Sequence, residues 1–253
     1  MTIAILQARM SSSRLPGKVL REINGKPMIY WQLQRIYRAK NVDKVIVATS
    51  TDPTDDPLVD FLISEKALYV RGPLDNVKER FDNVIAQFPT ETFIRLTGDC
   101  PLVMPRLIDE LVDAFNHANV DYLSNTIKPT YPDGLDIEVV KSEAFRRLNN
   151  STLSKAEMEH VTYGLYSRKG LFTTQNFANS QDLSNLRWTV DYQEDLDFVR
   201  IIFSHFKGRE DSFDFKDLLD YLQNNDEIKS TIDANRRNES LVAMLNEEGN
   251  VIE

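Results

Sequence analysis

The sequence predicts a Rossmann-like α/β fold of three layers, with helices on both faces of a mostly parallel sheet. Short apolar runs such as Ile3–Leu6, Lys44–Thr49 and Thr92–Thr97 have the near-continuous hydrophobicity of strands covered on both faces, and helical patterns lie between them. The second run ends at once in Ser50-Thr51-Asp52-Pro53 and the third in Gly98-Asp99, turn chemistry that belongs on the ligand edge of such a sheet. With 253 residues and 42% hydrophobic content, one large domain is expected over residues 1–222. It includes a smaller mixed-strand subregion at 121–190, and residues 223–253 read as a peripheral tail.

The first strand runs directly into Gln7-Ala8-Arg9-Met10-Ser11-Ser12-Ser13-Arg14-Leu15-Pro16-Gly17-Lys18, a loop ahead of the first helix. Two guanidiniums, one ammonium, three consecutive hydroxyls and a Pro-Gly bend suit a polyphosphate, because arginine forks match phosphate oxygens and a turn of free amides cradles anions. The alternative is a polar surface turn. Charge favours the first reading: residues 1–40 hold eight cationic side chains against Glu22 alone, +7 in a chain of −9, so the other 213 residues carry −16. A local basic patch on an acidic chain calls for a local anion and argues against a nucleic-acid track. The loop is not a Walker A motif, since Ser12 stands at the first glycine position and Val19 follows Lys18. No dinucleotide fingerprint of spaced glycines follows Leu6 either.

Next, Asn24-Gly25 is a turn and Pro27 opens a helix carrying Ile29, Leu33 and Ile36. Residues 57–66 read as a helix, Leu68–Val70 as a short strand broken by Arg71-Gly72-Pro73, and Asp75 as the cap of a helix with Val77, Phe81, Val84, Ile85 and Phe88 on its buried stripe. Asp99, at the end of its strand, is either a magnesium ligand or an N-cap for the helix from Pro105. Leu135–Val140 alternates as a half-exposed strand with Asp136 and Glu138 on its polar positions, and a helical stretch follows from Glu157 to about Tyr166. Leu171–Thr174 and Leu186–Val190 are strand-like, and the second delivers Asp191 to its end. Asp191 stands as Asp99 does, one residue past a strand, and can serve as an N-cap with Glu194 three residues on, before a helix burying Phe198, Ile201 and Ile202. A short helix runs through Leu222, and a weaker one lies near Leu241–Leu245.

Three histidines without ligand spacing argue against a zinc site, and His160 reads as an ordinary hydrogen-bonded histidine. The single Cys100 excludes an internal disulfide and suits a reducing compartment. With no membrane-length apolar run and no secretory pattern at the N-terminus, a soluble cytoplasmic protein is expected.

Ala8-Arg9, Ser12-x-Arg14-x-Pro16-Gly17-Lys18 and Gly25-x-Pro27-Met28-Ile29 together resemble the N-terminal signature of the cytidylyltransferases that make CMP-sugars. These are the CMP-Kdo and CMP-sialate synthetases and especially the SpsF-like proteins of spore coat polysaccharide synthesis. Gly98-Asp99-x-Pro101, Pro132-x-Gly134-Leu135-Asp136-x-Glu138 and Asp191-x-x-Glu194-Asp195-Leu196 are similar to further segments of that group. The resemblance implies the nucleotide-diphospho-sugar transferase architecture and attack by a sugar acid or sugar phosphate on the α-phosphorus of CTP, releasing pyrophosphate. It implies catalytic roles for Arg9, Arg14 and Lys18, and nucleotide contacts from Ala8, Arg9, Ser13, Gly17, Lys18, Arg71, Asn76, Arg80 and Gly98. By the same resemblance Asp99 and Asp191 would hold Mg2+, and Asp136, Glu138 and His160 would face the acceptor. The family segment around His160 usually has an Arg where Met158 stands here. No residue reads as a dedicated protein nucleophile; a homodimer is implied by family habit. A nucleotidyl- or glycosyltransferase of the same fold using another nucleotide, or a non-catalytic sugar-nucleotide-binding domain, is the alternative.

Overall fold

The computed structural model describes residues 1–225, 228, 237 and 239–247. Its centre is β1 (Thr2–Gln7), where Ala4 and Leu6 point into one apolar core and Ile3 and Ile5 into another, so both faces of the sheet are covered. A small hairpin of β2 (Glu22–Ile23) and β3 (Lys26–Pro27) turns at Asn24-Gly25. Both turn residues have positive φ, 48° and 76°, as a two-residue loop of this type requires. Pro27 is the N-cap of α1 (Met28–Ile36) rather than its first residue, so the helix begins one position later than the sequence pattern suggests.

β4 (Lys44–Ser50), α2 (Asp56–Ser64), β5 (Leu68–Gly72), α3 (Val77–Gln87), β6 (Thr92–Thr97) and α4 (Pro105–Ala118) continue the alternation. Strands β4, β1 and β6 are parallel neighbours, with Leu6 opposite both Val47 and Leu96, so their C-terminal ends are level on one edge. Asn76 rather than Asp75 caps α3, accepting from the Glu79 amide at 3.0 Å. Phe81 on α3 packs beside Phe93 and Phe145, and its truncation to Ala would cost about 3–5 kcal/mol.

β7 (Tyr122–Ser124), β8 (Glu138–Lys141) and β9 (Thr174–Asn176) extend the same sheet, giving seven strands among the described residues in the order β5-β4-β1-β6-β8-β7-β9. Only the two pairings of β8 are antiparallel in this sheet. β8 corrects the sequence reading: it is central, lying between β6 and β7, so Glu138, Val139 and Val140 are buried rather than half-exposed. The strand expected at 171–174 begins only at Thr174, and Leu186–Val190 is an extended segment with one bridge, Arg187 to Asp133.

After β8 comes α5 (Ser142–Arg147), which has no separate signal in the sequence reading. The helical stretch at 157–166 is broken into α6 (Lys155–Glu159) and α7 (Tyr163–Ser167), with Val161 at φ 33° between them. α8 (Gln193–His205) buries Leu196, Phe198, Val199, Ile202 and Phe203, while Ile201, expected inside, is exposed. α9 (Phe215–Gln223) and a helix over Glu239–Glu247 complete the described elements. α1, α2, α4, α8 and α9 contribute to the core on one face, and α3, α5 and α7 to that on the other; the three-layer expectation holds.

Candidate active site

The chain leaves β1 at the level edge and is pinned there. The Ala8 amide donates to Ala48 O at 3.1 Å, and the Met10 amide donates to Asp55 Oδ1 at 2.6 Å. Met10 O in turn accepts from the Ser12 and Gly17 amides, curling the loop on itself. Gly17, at φ 70°, allows the reversal that sends Lys18 inward. Gly98 permits close approach from the neighbouring strand: a Cβ there would stand 3.0 Å from Ala8 Cβ and from Gln7 O.

Lys18 is buried, and its ammonium donates to Val190 O at 2.7 Å, Asp191 Oδ1 at 2.9 Å and Asp99 Oδ2 at 3.4 Å. The two strand-end acids, 92 positions apart in the sequence, therefore converge on one cation. Burial alone would lower the Lys18 pKa, but the charges of Asp99 and Asp191 overcome it and hold the group above its ordinary value. Burial likewise pushes both acids up; Lys18 reverses this, leaving Asp99 below its usual value and Asp191, which Arg14 and Arg187 also contact, at about 2. Thr97 Oγ1 orients Asp99, donating to Oδ1 at 2.6 Å.

Neither acid acts as a helix cap. Met104 precedes α4, and at α8 the side chain of Asp195 accepts from the Asp191 and Tyr192 amides at 2.8 and 2.9 Å. The Asp191 carboxylate is thereby left for Arg14, at 2.8 Å, and for Lys18. Arg14 also stacks over Tyr192.

Arg9 turns to the other side of the loop, 3.8 Å from Glu159 Oε1. Near it is Arg80, which is buried and, among the described residues, donates a single long bond, to Leu74 O at 3.4 Å, with its Nε unpartnered. Burial, aided by the charge of Arg9, lowers Arg80 to about 10. Two cations brought together with an unsatisfied donor form a place for an anion. Arg71 is instead engaged with its own backbone surroundings, Ser50 O at 2.6 Å and Asp52 O at 3.0 Å, and with Asp56. Asn76 is the cap of α3, and Ser13 is exposed on the loop.

The acceptor-side candidates divide. Asp136 is reached by Arg237, whereas Glu138 lies in a buried network, accepting from Arg95, Thr162 and, at 2.8 Å, Tyr122. His160 is largely buried with Nε2 unpartnered; burial, then the charge of Arg95, lowers it to about 4, so it is neutral at physiological pH.

Sequence reasoning assigned no role to four side chains. Asp55 holds the loop from behind. Arg187 bridges Asp133 at 2.9 Å and Asp191 at 2.8 Å, Asp195 restrains the chain around Asp191, and Arg237 arrives from the tail. The signal for Arg187 was present, because it lies four residues before Asp191 on an extended segment, which places both on the same side.

Among the described residues no three His, Cys, Asp or Glu side chains gather into a metal site of their own. Asp99 and Asp191 nonetheless fit Mg2+ in the way nucleotide sites use it, with two carboxylates and the remaining positions open to water and phosphate oxygens.

Cations on a strand-end loop, facing two carboxylates at the C-terminal edge of a parallel sheet, define a nucleotidyltransferase of the α/β class. The cytidylyltransferase family model matches residues 3–228, and the chain belongs to that family. It is a CTP-dependent nucleotidyltransferase. The chain is 31% identical over 214 residues to the spore coat polysaccharide biosynthesis protein SpsF of Bacillus subtilis, covering 82% of this chain and 88% of that one. Over 113 residues it is 34% identical to the 3-deoxy-manno-octulosonate cytidylyltransferase of Escherichia coli, 44% of each chain. A cytidylyltransferase structure from Leptospira borgpetersenii superposes with a TM-score of 0.85 at 26% identity, covering 90% of this chain and 96% of that one.

Proposed function

We propose that this cytidylyltransferase activates a sugar acid or sugar phosphate with CTP, releasing pyrophosphate, in surface polysaccharide biosynthesis. The observation that carries the reading is the Lys18 ammonium held between Asp99 and Asp191. Asp99 and Asp191 would hold Mg2+, which when bound neutralises phosphate charge and aligns the phosphate oxygens for in-line displacement. Arg14 and Lys18 then face the triphosphate and stabilise charge that develops on the departing pyrophosphate. Asp99 and Asp191 hold the Lys18 pKa above its ordinary value against the effect of burial, so Lys18 meets the nucleotide as a positive charge rather than as a base. Arg9 with Arg80 offers a second anion contact on the other side of the loop. Asp136 faces the acceptor, while Glu138 is held by Arg95, Tyr122 and Thr162 and His160 lies near Arg95. The SpsF and octulosonate relatives support a sugar acceptor.

Pyrophosphate release is the test, from CTP, ATP, GTP and UTP, with and without magnesium. The acceptor panel is Kdo, N-acetylneuraminate, other nonulosonic acids and sugar phosphates. Magnesium-dependent release with CTP and one acceptor is expected. Bound CTP with no release across the panel would overturn the reading.

A further inference from the structure

The tail returns to the site. Leu241 and Leu245, on the helix over Glu239–Glu247, pack with Ala156 of α6. Just ahead of that helix, Arg237 reaches the loop between β7 and β8: Nη1 donates to Tyr131 O at 3.0 Å, Nη2 donates to Asp136 Oδ1, and Nε stands 3.8 Å from Asp133 Oδ1. Its side chain is only 14% exposed. Burying a guanidinium costs several kcal/mol unless fixed partners compensate it. The arginine therefore marks a demand made by its partners.

Those partners adjoin the reaction centre. Arg187 donates to Asp133 at 2.9 Å and to Asp191 at 2.8 Å, so Asp133 is separated from Asp191 by one guanidinium. Asp133 is gripped by Arg187 and approached by Arg237; Asp136 is held by Arg237. The loop carrying them is fixed as well, because Gly134 at φ 102° packs against the Trp188–Thr189 backbone, where a Cβ would come within 2.5 Å of the Thr189 amide. A carboxylate clamped by arginine keeps lone pairs for further donors, and two of them side by side suit the hydroxyls of a sugar.

We infer that Arg237 is a positioning residue for the acceptor: it holds Asp133 and Asp136 as hydrogen-bond acceptors for sugar hydroxyls, and so governs affinity for the acceptor rather than for CTP. The inference rests on the sugar acceptor proposed above.

The test is initial-rate pyrophosphate release by wild type, Arg237→Ala and Arg237→Lys. CTP and acceptor are varied in turn, using whichever compound of the panel the wild type turns over. Arg237→Ala is expected to raise the acceptor KM tenfold or more while the CTP KM stays within twofold, and Arg237→Lys to recover part of the loss. A purely structural role would lower the active fraction and leave both KM values unmoved. Asp136→Asn provides a second route if Arg237→Ala folds poorly, with a rise in acceptor KM expected and a smaller further rise on adding Arg237→Lys than that substitution gives in the wild type, since only its action through Asp133 remains. An acceptor KM within twofold of wild type in these variants, or an equal rise in both KM values, overturns the inference alone. A wild type that binds CTP but turns over no acceptor overturns the function reading, and the inference falls with it.

Discussion

Asp55 is the most informative residue to perturb, because it links the nucleotide loop to the sheet without touching any proposed ligand. It is fully buried, and its Oδ1 accepts from the Met10 amide at 2.6 Å. Its Oδ2 accepts from the Ser50 amide and the Thr49 hydroxyl, each at 3.0 Å, and from the Ser50 hydroxyl. In Asp55→Ala the two hydroxyls can rotate elsewhere, but the buried Ser50 amide and the partly buried Met10 amide are left without an acceptor. At about 1–3 kcal/mol each the loss is roughly 2–6 kcal/mol. For a domain of this size, at about 2–4 °C per kcal/mol, the melting point should fall on the order of 10 °C. Asp55→Asn separates the two halves of the carboxylate. Its amide oxygen can keep the Ser50 and Thr49 bonds, which turns its NH2 toward the Met10 N–H and loses that bond alone. Stability should then fall by roughly 1–3 kcal/mol, while the CTP KM rises about tenfold as the loop loses its anchor. Thermal melts and initial rates with varied CTP decide the matter; an Asp55→Asn enzyme with the wild-type CTP KM would refute the anchoring role.

Lys18→Ala and Asp99→Asn should each abolish turnover while the protein stays folded, and near-normal pyrophosphate release by either would remove it from the site. Chelation with EDTA should stop turnover, with recovery on adding magnesium and not on adding monovalent salt. Gly134→Ala forces a side chain into a left-handed backbone against Thr189 and should cost at least about 1–2 kcal/mol, read as a lower melting point together with slower turnover, since Val190 and Asp191 follow directly. His160, with its folded pKa near 4 against 6.5, binds fewer protons than the unfolded chain between those values. Stability should therefore decline as pH falls through that window, by about 3 kcal/mol from this residue once pH is below 4. Denaturant melts of wild type and His160→Gln at pH 7 and pH 4 test this, and equal losses in the two proteins would exclude His160 as the source.

The first half of the sheet was legible because its signals are local. Apolar runs, an Asn-Gly turn and a contiguous basic loop each stand within a few residues, and the acids at the ends of β6 and the 186–190 segment follow from topology. β8 misled because Leu135–Val140 alternates as a half-exposed strand would. Glu138 is nevertheless buried, because Arg95 on the neighbouring β6 neutralises it, and a single sequence does not announce that pairing. Asp55 and Arg237 were hidden for the same reason. Their partners lie 45 and 101 residues away, and an isolated polar residue in a loop or tail has no periodicity to betray it. Ile201 was misplaced by a smaller effect: at about 100° per residue Leu196, Phe198, Val199, Ile202 and Phe203 fall within one half of the helix circumference, and Ile201 falls just outside it.

What ties these residues together is charge held in reserve. Arg14 and Lys18 are matched here by Asp191 and Asp99, so the cations proposed to receive a triphosphate already have counterions. A triphosphate arriving alone would compete with those carboxylates and leave them facing its own negative charge in a partly buried site, which is costly. Carboxylates that take up a divalent cation at the same moment remove that cost and release Arg14 and Lys18 to the phosphates. Nucleotide and magnesium should consequently strengthen one another's binding, and the coupling should shrink when either acid is made neutral. The same logic explains why Arg187 and Arg237 lie behind the acids: with Asp133 and Asp136 also drawn into this edge, two further guanidiniums keep the carboxylate cluster from repelling the anionic substrates the site is proposed to join.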